Sequence, residues 1–211
     1  MISVKIWDFW ADKYERLWVQ KYSLSPTRRD IIKELKEIIK EDREYKILDM
    51  GCGTGQLIRD IKKELSGFNI KFTGVDISPK MIEAAKGKDK EADYFNSSIE
   101  EFDGQPSSFD IIVCTHSFPY YSNKEAAINK FHYLLKDEGY LFLAQASANS
   151  MYDHFIMFFV KFTTSSAKYL SISAMRKLTK DRLQMIKINN IKEKSFMPTI
   201  ALFLLKKGGN N

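Results

Sequence analysis

The sequence predicts a doubly wound α/β fold with a mostly parallel, seven-stranded sheet, an antiparallel final strand and helices on both faces. Short apolar runs alternate with amphipathic helical stripes between residues 45 and 145, which is typical of parallel strands joined by crossover helices. A glycine-rich turn joins the first apolar run to the helix that follows it. After residue 146 the alternation ends, and two apolar runs follow that we expect to pair as antiparallel strands.

The N-terminal region is predicted to contain two helices. Aromatic and apolar residues recur at helical spacing over residues 7–21, which predicts the first helix. Ser25 and Pro26 then fit the N-cap and first position of a second helix, which runs to residue 39. We interpret residues 1–25 as a cap that covers the end of the sheet.

Five strands are predicted in the central part of the chain, with a helix between most neighbours. The strands are expected at residues 46–50, 70–75, 92–95, 109–114 and 140–145. Ser78 precedes Pro79, and Asn123 precedes an apolar helical stripe. Both residue types satisfy free N–H groups at the start of a helix, so each predicts an N-cap.

The C-terminal part departs from this alternation. Residues 149–162 are apolar and aromatic-rich at helical spacing, and residues 173–180 predict a further short helix. The last two strands are expected at 183–188 and 199–206. We interpret residues 146–172 as an insert that forms a lid over the site, within a single domain spanning residues 1–211.

The composition is typical of a soluble globular protein, with 44% hydrophobic and 28% charged residues. Cys52 and Cys114 have no metal-ligand spacing, so no metal site is predicted, and so few cysteines suit the reducing cytoplasm. The longest apolar run, residues 155–160, is far shorter than the ~20 residues that span a bilayer. We therefore expect a cytoplasmic protein without a membrane span.

The positive charge is concentrated near the C-terminus. The chain carries a formal net charge of +6, and residues 166–211 contain ten lysines and arginines against two acids. Such asymmetry is found on solvated outer faces and on surfaces that bind an anionic partner. Both interpretations stay open.

The clearest motif is the stretch from Leu48 to Gly55, Leu-Asp-Met-Gly-Cys-Gly-Thr-Gly, between a buried strand and an amphipathic helix. Its glycines allow a tight turn and a close approach to a ligand, and the N–H groups at the start of the helix favour a polar one. Asp76 ends the second strand, 21 residues after Gly55. An acid there can accept hydrogen bonds from the two hydroxyls of a ribose.

Two cofactor classes compete for this arrangement. A dinucleotide requires G-x-G-x-x-G, but counting from Gly51 the third glycine position is Gln56. The pattern is instead acid-x-G-x-G-x-G, and with the acid after the second strand it resembles the class I S-adenosylmethionine-dependent methyltransferases. The resemblance covers residues 45–145, implies a Rossmann-like fold, and makes this region the cofactor-binding core.

The resemblance implies S-adenosylmethionine as the cofactor and assigns its contacts. The methionine part would be surrounded by the first motif, the ribose held by Asp76, and the adenine contacted by Ile77 and by the segment after the third strand. Many relatives have an acid where this chain has Ser98. The implied cofactor-binding residues are Tyr14, Asp49, Gly51, Cys52, Gly53, Gly55, Asp76, Ile77, Ser98, Ile99 and Thr115.

One residue is a candidate for catalysis. His116 follows the fourth strand at the position that lines the pocket in this family. An imidazole has an ordinary pKa of roughly 6.5 and could take a proton from a hydroxyl or ammonium acceptor. The Pro-Cys motif of enzymes that attack pyrimidines is absent, because Val113 precedes Cys114.

We expect methyl transfer to a small molecule, because the regions that select the acceptor in this family are aromatic-rich here. Such a lining suggests a planar or partly apolar acceptor. Nucleic acid is not the expected partner, although the basic C-terminal quarter keeps an RNA or protein methyltransferase as an alternative. A catalytically silent S-adenosylmethionine-binding regulatory module is another. The oligomeric state is left open, a dimer included.

Overall fold

The sheet has seven strands in the order β3-β2-β1-β4-β5-β7-β6. The computed structural model describes residues 4–17, 20–147, 167–194 and 197–209. The strands are β1 Tyr45–Met50, β2 Ile70–Asp76, β3 Asp93–Asn96, β4 Phe109–Thr115, β5 Leu135–Ala146, β6 Leu183–Ile191 and β7 Ile200–Lys207. Strands β1 to β5 pair in parallel, while β7 is antiparallel to both β5 and β6. The predicted fold class is confirmed.

Helices cover both faces of the sheet. They are α1 Val4–Trp10, α2 Ser25–Ile38, α3 Gln56–Glu64, α4 Pro79–Lys88, α5 Lys124–Leu134 and α6 Ile172–Thr179. One core cluster joins α2, α3 and α4 to the sheet, and the other joins α5 and α6. Successive residues of β4 alternate between them, with Ile111 and Val113 in the first cluster and Ile112 and Cys114 in the second. A strand buried on both faces therefore has the continuous apolar sequence observed here.

Local capping signals predicted two helix starts correctly. The hydroxyl of Ser78 accepts the Met81 N–H at 3.2 Å, and Oδ1 of Asn123 accepts the Ala126 N–H at 2.9 Å. Each satisfies an N–H group that has no partner within its helix. Ser25 is different, because a π-helical turn, Gln20–Leu24, leads directly into α2 and places Leu24 at the cap.

The prediction of one helix over residues 7–21 is wrong. Helix α1 ends at Trp10, and a short 3₁₀ turn, Tyr14–Arg16, follows. Contacts with the rest of the protein compete with a continuous helix, since the Ser78 hydroxyl donates to Asp8 at 2.6 Å and the Thr54 hydroxyl donates to Glu15 at 2.7 Å. Helix propensity is a weak preference that such tertiary contacts override.

The predicted lid falls largely outside the described residues. Of the insert at 146–172, the structure describes residues 146–147 and 167–172, and the predicted helix at 149–162 lies outside. Within the described ranges, no helix has the length and apolar character needed to cross a membrane.

Asp110, near the start of β4, is hydrogen-bonded to the turn before β1, to β1 and to β5. Its carboxylate accepts hydrogen bonds from Arg43 Nη1 at 2.7 Å, the Lys46 N–H at 2.9 Å and Lys136 Nζ at 2.8 Å. Although burial acts to raise the pKa of Asp110, hydrogen bonds from Lys136, the Lys46 backbone and Arg43 hold it below its usual value. The ionised carboxylate therefore contributes to the stability of the sheet.

We predict that Asp110→Ala lowers the free energy of unfolding by about 1.5–3 kcal/mol, because the hydrogen bonds to a buried charged carboxylate are lost. The measurement is chemical denaturation at pH 7. Asp103→Ala is the matched control, since Asp103 is exposed, and it should change stability by less than about 0.5 kcal/mol. Equal effects of the two substitutions would contradict the role of Asp110.

Candidate active site

A cleft lies at the carboxyl ends of β1 and β4, where open α/β sheets bind ligands. The glycine loop and Asp49 form one part of its wall, and the N-terminal segment and the start of α2 form another. The structure brings together in this cleft the predicted residues Tyr14, Asp49, Gly51, Cys52, Gly53, Thr115 and His116. These predicted residues come from three separate parts of the chain, and the start of α2 adds a fourth.

The glycine loop has a backbone that other residues rarely adopt. Gly51, Gly53 and Gly55 have φ angles of 83°, 53° and 73°, in the left-handed region. A Cβ on Gly51 would lie only 2.4 Å from the Cβ of Ser117, whereas a Cβ on Gly53 would first meet the Tyr14 ring at 3.7 Å. Gly51 therefore makes room for a protein side chain, and Gly53 faces the more open part of the cleft.

Tyr94, on β3, packs against two further glycines. A Cβ on Gly55 would lie 2.5 Å from the Tyr94 hydroxyl, and a Cβ on Gly74 would lie 2.6 Å from its ring. The hydroxyl donates to Asp89 at 3.3 Å. The ring belongs to the core cluster that contains α3 and α4, and from that side it supports the end of the glycine loop.

Asp76 ends β2 and holds the backbone of two loops. Its Oδ2 accepts the Gly53 N–H and its Oδ1 accepts the Ser78 N–H, both at 2.9 Å. Burial raises the pKa of Asp76, and these two hydrogen bonds oppose the rise. Each oxygen keeps a second lone pair, so the side chain can accept further hydrogen bonds from a ligand.

Asp49 is a buried carboxylate with an unused oxygen. It is 2% exposed, and its Oδ1 accepts no hydrogen bond from any described residue. Burial first, and the charge of Asp76 second, raise the pKa of Asp49 to about 7. Gln56 Oε1 is likewise buried without a partner among the described residues and lines the same cleft. Unsatisfied buried acceptors are costly, so both favour a ligand that supplies hydrogen-bond donors.

The N-terminal segment is tied to the loop through Glu15. Its carboxylate accepts hydrogen bonds from the Thr54 hydroxyl and from Arg59, both at 2.7 Å, and pairs with Lys88 at 2.8 Å. Although burial acts to raise the pKa of Glu15, these hydrogen bonds lower it to about 2. Glu15 therefore holds Tyr14 beside Gly53, where burial raises the pKa of the phenol to about 12.

Three predicted residues lie near the end of β2 and the segment after β3. Ile77 directly follows β2 and is 44% exposed, whereas Ile99 is buried. The Ser98 hydroxyl accepts the Glu101 N–H at 3.2 Å and donates to the Glu101 carboxylate at 3.1 Å. Ser98 thus caps its own turn, and Ile77 presents an apolar surface.

Both cysteines are buried thiols. Burial raises the pKa of Cys52 well above its usual value and raises that of Cys114 to about 11. Cys114 Sγ lies 3.2 Å from the Ser117 hydroxyl, which donates to the Met50 carbonyl at 3.0 Å. A protonated thiol is a poor nucleophile, so Cys114 packs behind the glycine loop.

His116 follows Thr115 at the end of β4, with a φ of 60°. Its Nε2 lies 3.2 Å from the Thr27 hydroxyl, which donates its own proton to the Ser23 carbonyl at 2.8 Å. Nε2 must therefore carry the proton, which leaves the lone pair on Nδ1. Burial, together with the charge of Arg28, lowers the pKa of His116 to about 4. The ring is neutral at pH 7.

Sequence reasoning missed the part of the cleft that belongs to α2. Arg28 donates to Asp60 at 2.6 Å and to Gln20 Oε1 at 3.1 Å, and Gln20 Nε2 donates to the Tyr14 carbonyl at 3.1 Å. One signal was present, because Arg28 precedes the buried residue Ile31 by three positions. A charged residue on the apolar stripe of a helix indicates a buried partner or a site.

Comparisons with known proteins agree with this geometry. A family model described as a methyltransferase domain matches residues 41–193, from just before β1 to just beyond β6. The chain belongs to this methyltransferase family. It is an S-adenosylmethionine-dependent enzyme, as the predicted resemblance implied.

Several relatives and solved structures are similar to this methyltransferase. A demethylmenaquinone methyltransferase from Thermotoga maritima is 24% identical over 209 residues, covering 92% of this chain and 87% of that protein. A carboxy-S-adenosyl-L-methionine synthase from a Nitratiruptor species is 32% identical over 115 residues, covering 53% of this chain and 46% of that protein. The second match thus spans about half of each chain.

Two solved structures share the fold. A methyltransferase from Haloferax volcanii, in complex with the Trm112 methyltransferase activator, has a TM-score of 0.79 at 13% identity, covering 97% of this chain and 98% of that one. An S-adenosylmethionine-dependent methyltransferase from Thermotoga maritima has a TM-score of 0.69 at 18% identity, covering 97% and 100%.

The cleft of this methyltransferase fits the polar parts of S-adenosylmethionine. The cofactor carries an ammonium group and ribose hydroxyls, all of which donate hydrogen bonds. The unused oxygens of Asp49 and Gln56 are acceptors that line the cleft. Asp76 does not line it but lies next to it, since it accepts the N–H of the lining residue Gly53. Donors on the ligand and acceptors on the protein are complementary.

We predict that Asp49→Asn stabilises the ligand-free protein at pH 8 by about 1–3 kcal/mol. Asp49 loses its proton near pH 4 in the unfolded chain but near pH 7 in the folded one. The folded state therefore binds the extra proton, and stability falls as pH rises from about 4 to about 7. Asparagine removes this penalty.

The measurement is the free energy of unfolding of both proteins at pH 5 and pH 8. The gain from Asp49→Asn should be larger at pH 8. Asp93→Asn is the control because Asp93 is exposed, and it should show no such pH dependence. A loss of stability in Asp49→Asn at pH 8 would contradict the raised pKa.

Proposed function

We propose that this methyltransferase transfers the methyl group of S-adenosylmethionine to a small, planar and partly apolar acceptor. The observation that carries the proposal is an aromatic group beside the cleft. Trp7 of α1 meets Tyr120, in the turn after β4, edge to face with ring centroids 5.3 Å apart. Tyr169 hydrogen-bonds to Tyr120. Aromatic surfaces of this kind suit flat rings.

The turn that carries Tyr120 is fixed from two sides. Lys124 Nζ donates to the carbonyls of Pro119 and Tyr121, both at 3.1 Å, and the Lys168 N–H donates to the Pro119 carbonyl at 2.8 Å. The segment after the insert therefore meets the turn after β4 next to Tyr120. This supports the proposal that the described part of the N-terminal segment and residues 167–172 flank the acceptor.

The relatives give further support. A demethylmenaquinone methyltransferase, by its name, acts on a quinone-type ring, and it is similar to this chain over most of both sequences. A ring of that kind is planar and apolar and carries oxygen atoms. We extend to this chain only the general class of acceptor, a planar and partly apolar ring, and not the particular molecule.

The cofactor is held by the predicted residues. Asp76 would accept hydrogen bonds from the ribose hydroxyls, and Ile77 and Ile99 would contact the adenine. Ser98 would contribute through its backbone, because its hydroxyl is engaged with Glu101. The methionine part is surrounded by Tyr14, Asp49, Gly51, Cys52, Gly53 and Gly55, and Thr115 lies near the reactive centre. When bound, the cofactor supplies a methyl group already activated by its sulfonium, so the protein needs no nucleophile of its own.

His116 accepts the proton of the acceptor in this proposal. Its Nδ1 carries the lone pair, and the nitrogen has no hydrogen-bond partner among the described residues. The lowered pKa keeps the ring neutral at pH 7, so the lone pair is available, although the ring is a weaker base than free histidine. Positioning the acceptor against the methyl group supplies the larger part of the rate enhancement, roughly 7–11 kcal/mol.

The first test is a transfer screen with methyl-labelled S-adenosylmethionine. We expect the label to enter a pool of planar phenols, quinols and aromatic amines, and not bulk RNA or a protein extract. Asp76→Ala is the control, because a variant that cannot hold the ribose should lose transfer to every pool. Label confined to RNA or protein, or no transfer at all, would contradict the proposed acceptor class.

The second test concerns His116. With an acceptor from the screen, His116→Ala and His116→Gln should both lower kcat by at least about tenfold, since a positioned base contributes ~10²–10⁴-fold. Cofactor affinity should stay within about twofold of wild type. Because the pKa lies near 4, His116 is deprotonated throughout pH 5.5–9, and the loss should be constant over that range. A variant with nearly full kcat would rule out the base.

A second candidate is methyl transfer to RNA. It is favoured by basic residues in and directly after α6. Arg176, Lys177 and Lys180 are exposed and form no ion pair within the described part of the chain. Clustered bases bind phosphates through counterion release, which gives a steep salt dependence. RNA affinity that falls by about tenfold or more between 50 and 200 mM salt, together with label in the RNA pool, would favour this candidate over the first.

A further inference from the structure

Two lysines lie together beside the turn that carries Tyr120. Lys124, the first residue of α5, donates two of its three ammonium N–H groups to the carbonyls of Pro119 and Tyr121, both at 3.1 Å. The Pro119 carbonyl also accepts the backbone N–H of Lys168 at 2.8 Å. One oxygen therefore joins the ammonium of Lys124 to the chain at Lys168. The third N–H of Lys124 makes no hydrogen bond with the residues that the structure describes.

The Lys124 ammonium is held at a set place, whereas the Lys168 side chain is exposed to solvent. Besides its two carbonyl partners, the ammonium lies over the ring of Phe118, 5.4 Å from the ring centroid, and Phe118 is fully buried. A group that is already positioned loses little conformational freedom when it binds a ligand. Lys124 therefore offers a fixed positive charge, and Lys168 offers a second one that can adjust to a ligand.

The two charges are not neutralised by the protein. Burial first, and the charge of Lys168 second, lower the pKa of Lys124. No acid in the part of the chain that the structure describes pairs with either lysine. Two other partly buried lysines, Lys62 and Lys136, each pair with an aspartate at 2.8 Å. Since neighbouring like charges repel, an anion bound between Lys124 and Lys168 would relieve the repulsion.

We propose that Lys124 and Lys168 bind an oxyanion, a carboxylate or a phosphate ester, carried by the methyl acceptor. This inference rests on the proposed function, because it adds a negative charge to the planar acceptor proposed above. Ammonium groups bind carboxylates and phosphates as point charges and donate charge-assisted hydrogen bonds to them. The third N–H of Lys124 and the exposed ammonium of Lys168 are the donors.

The position of the two lysines suits one end of such an acceptor. Tyr120 belongs to the same turn, Phe118–Tyr120. Burial chiefly raises the pKa of Tyr120, and the nearby phenols of Tyr169 and Tyr14 contribute to the rise. Tyr14 in turn lies beside Gly53 in the cleft. A ring in contact with Tyr120 can therefore direct its nucleophilic atom towards the cleft and its anionic group towards the lysines.

The first test measures the binding of three small rings to the protein loaded with S-adenosylhomocysteine, by ligand-observed NMR at pH 7. The rings are benzoate, phenyl phosphate and benzamide, and benzamide is the neutral match of benzoate. At least one of the two anions should bind about tenfold or more tightly than benzamide, and the better anion identifies the oxyanion. Equal affinities of all three rings, or no binding of either anion, would overturn the inference.

The second test repeats these measurements on variants. Lys168→Gln and Lys124→Gln should each weaken binding of the better anion by about tenfold and leave benzamide within about twofold of wild type. Because Lys124 also holds the turn, unchanged S-adenosylhomocysteine affinity checks that its variant is folded. Tyr120→Ala should weaken all three rings by a similar factor, since it removes a ring contact and no charge. Lys86→Gln, which replaces an exposed lysine of α4, is the matched control and should change none of the affinities. Equal weakening of benzoate and benzamide in Lys168→Gln would show that Lys168 does not recognise the charge.

The transfer screen separates failure of this inference from failure of the proposed function. Transfer that prefers acidic rings, with a KM raised by Lys168→Gln, would support both. Transfer to neutral planar rings without any preference for their carboxylate or phosphate derivatives would overturn the oxyanion site and leave the proposed function standing. Transfer confined to RNA or protein would overturn the planar acceptor, and the assignment of the two lysines to it would fail as well.

Discussion

Burial of the Asp49 carboxylate is the constraint on which the arrangement of the cleft depends. Parallel pairing with β2 on one side and β4 on the other fixes Asp49 near the end of β1, and Asp76 adds a second negative charge nearby. A desolvated carboxylate is stabilised by nearby cations and hydrogen-bond donors or else takes up a proton. The charge of Arg28 supplies part of that stabilisation. Burial of the Asp49 carboxylate lowers the stability of the ligand-free protein. A ligand that donates hydrogen bonds to Asp49 reduces this destabilisation.

The N-terminal segment contacts both the proposed cofactor site and the proposed acceptor site. Through Asp8 and Glu15 it is tied to the loops after β2 and β1, where the cofactor is proposed to bind. Through Trp7 it meets Tyr120 in the turn after β4, on the proposed acceptor side. The proposed cofactor-binding loops and the proposed acceptor side therefore contact the same segment, so a substitution in this segment is expected to affect the binding of both ligands.

Local signals were readable from the sequence, and distant contacts were not. The glycine loop and the caps at Ser78 and Asn123 depend on residues within a few positions of one another, so their patterns sufficed. The interaction of His116 with Thr27 joins residues 89 positions apart, and no periodicity encodes it. The same holds for Arg28, whose role depends on where α2 packs against α3. The prediction of one helix over residues 7–21 failed because short turns replace the helix after Trp10, while Asp8 and Glu15 make side-chain contacts with distant residues that no local pattern encodes.

The packing of Tyr94 against Gly55 and Gly74 has a consequence for how this sequence can change over time. Each glycine leaves the volume that the aromatic ring fills, so an alanine at either position collides with the ring while tyrosine stays at 94. A smaller residue at 94 alone would open a void beside the glycine loop. At Gly74, where φ is not positive, the two changes together restore the packing. Positions 74 and 94 should therefore covary among homologues, whereas position 55 is further restricted by its backbone.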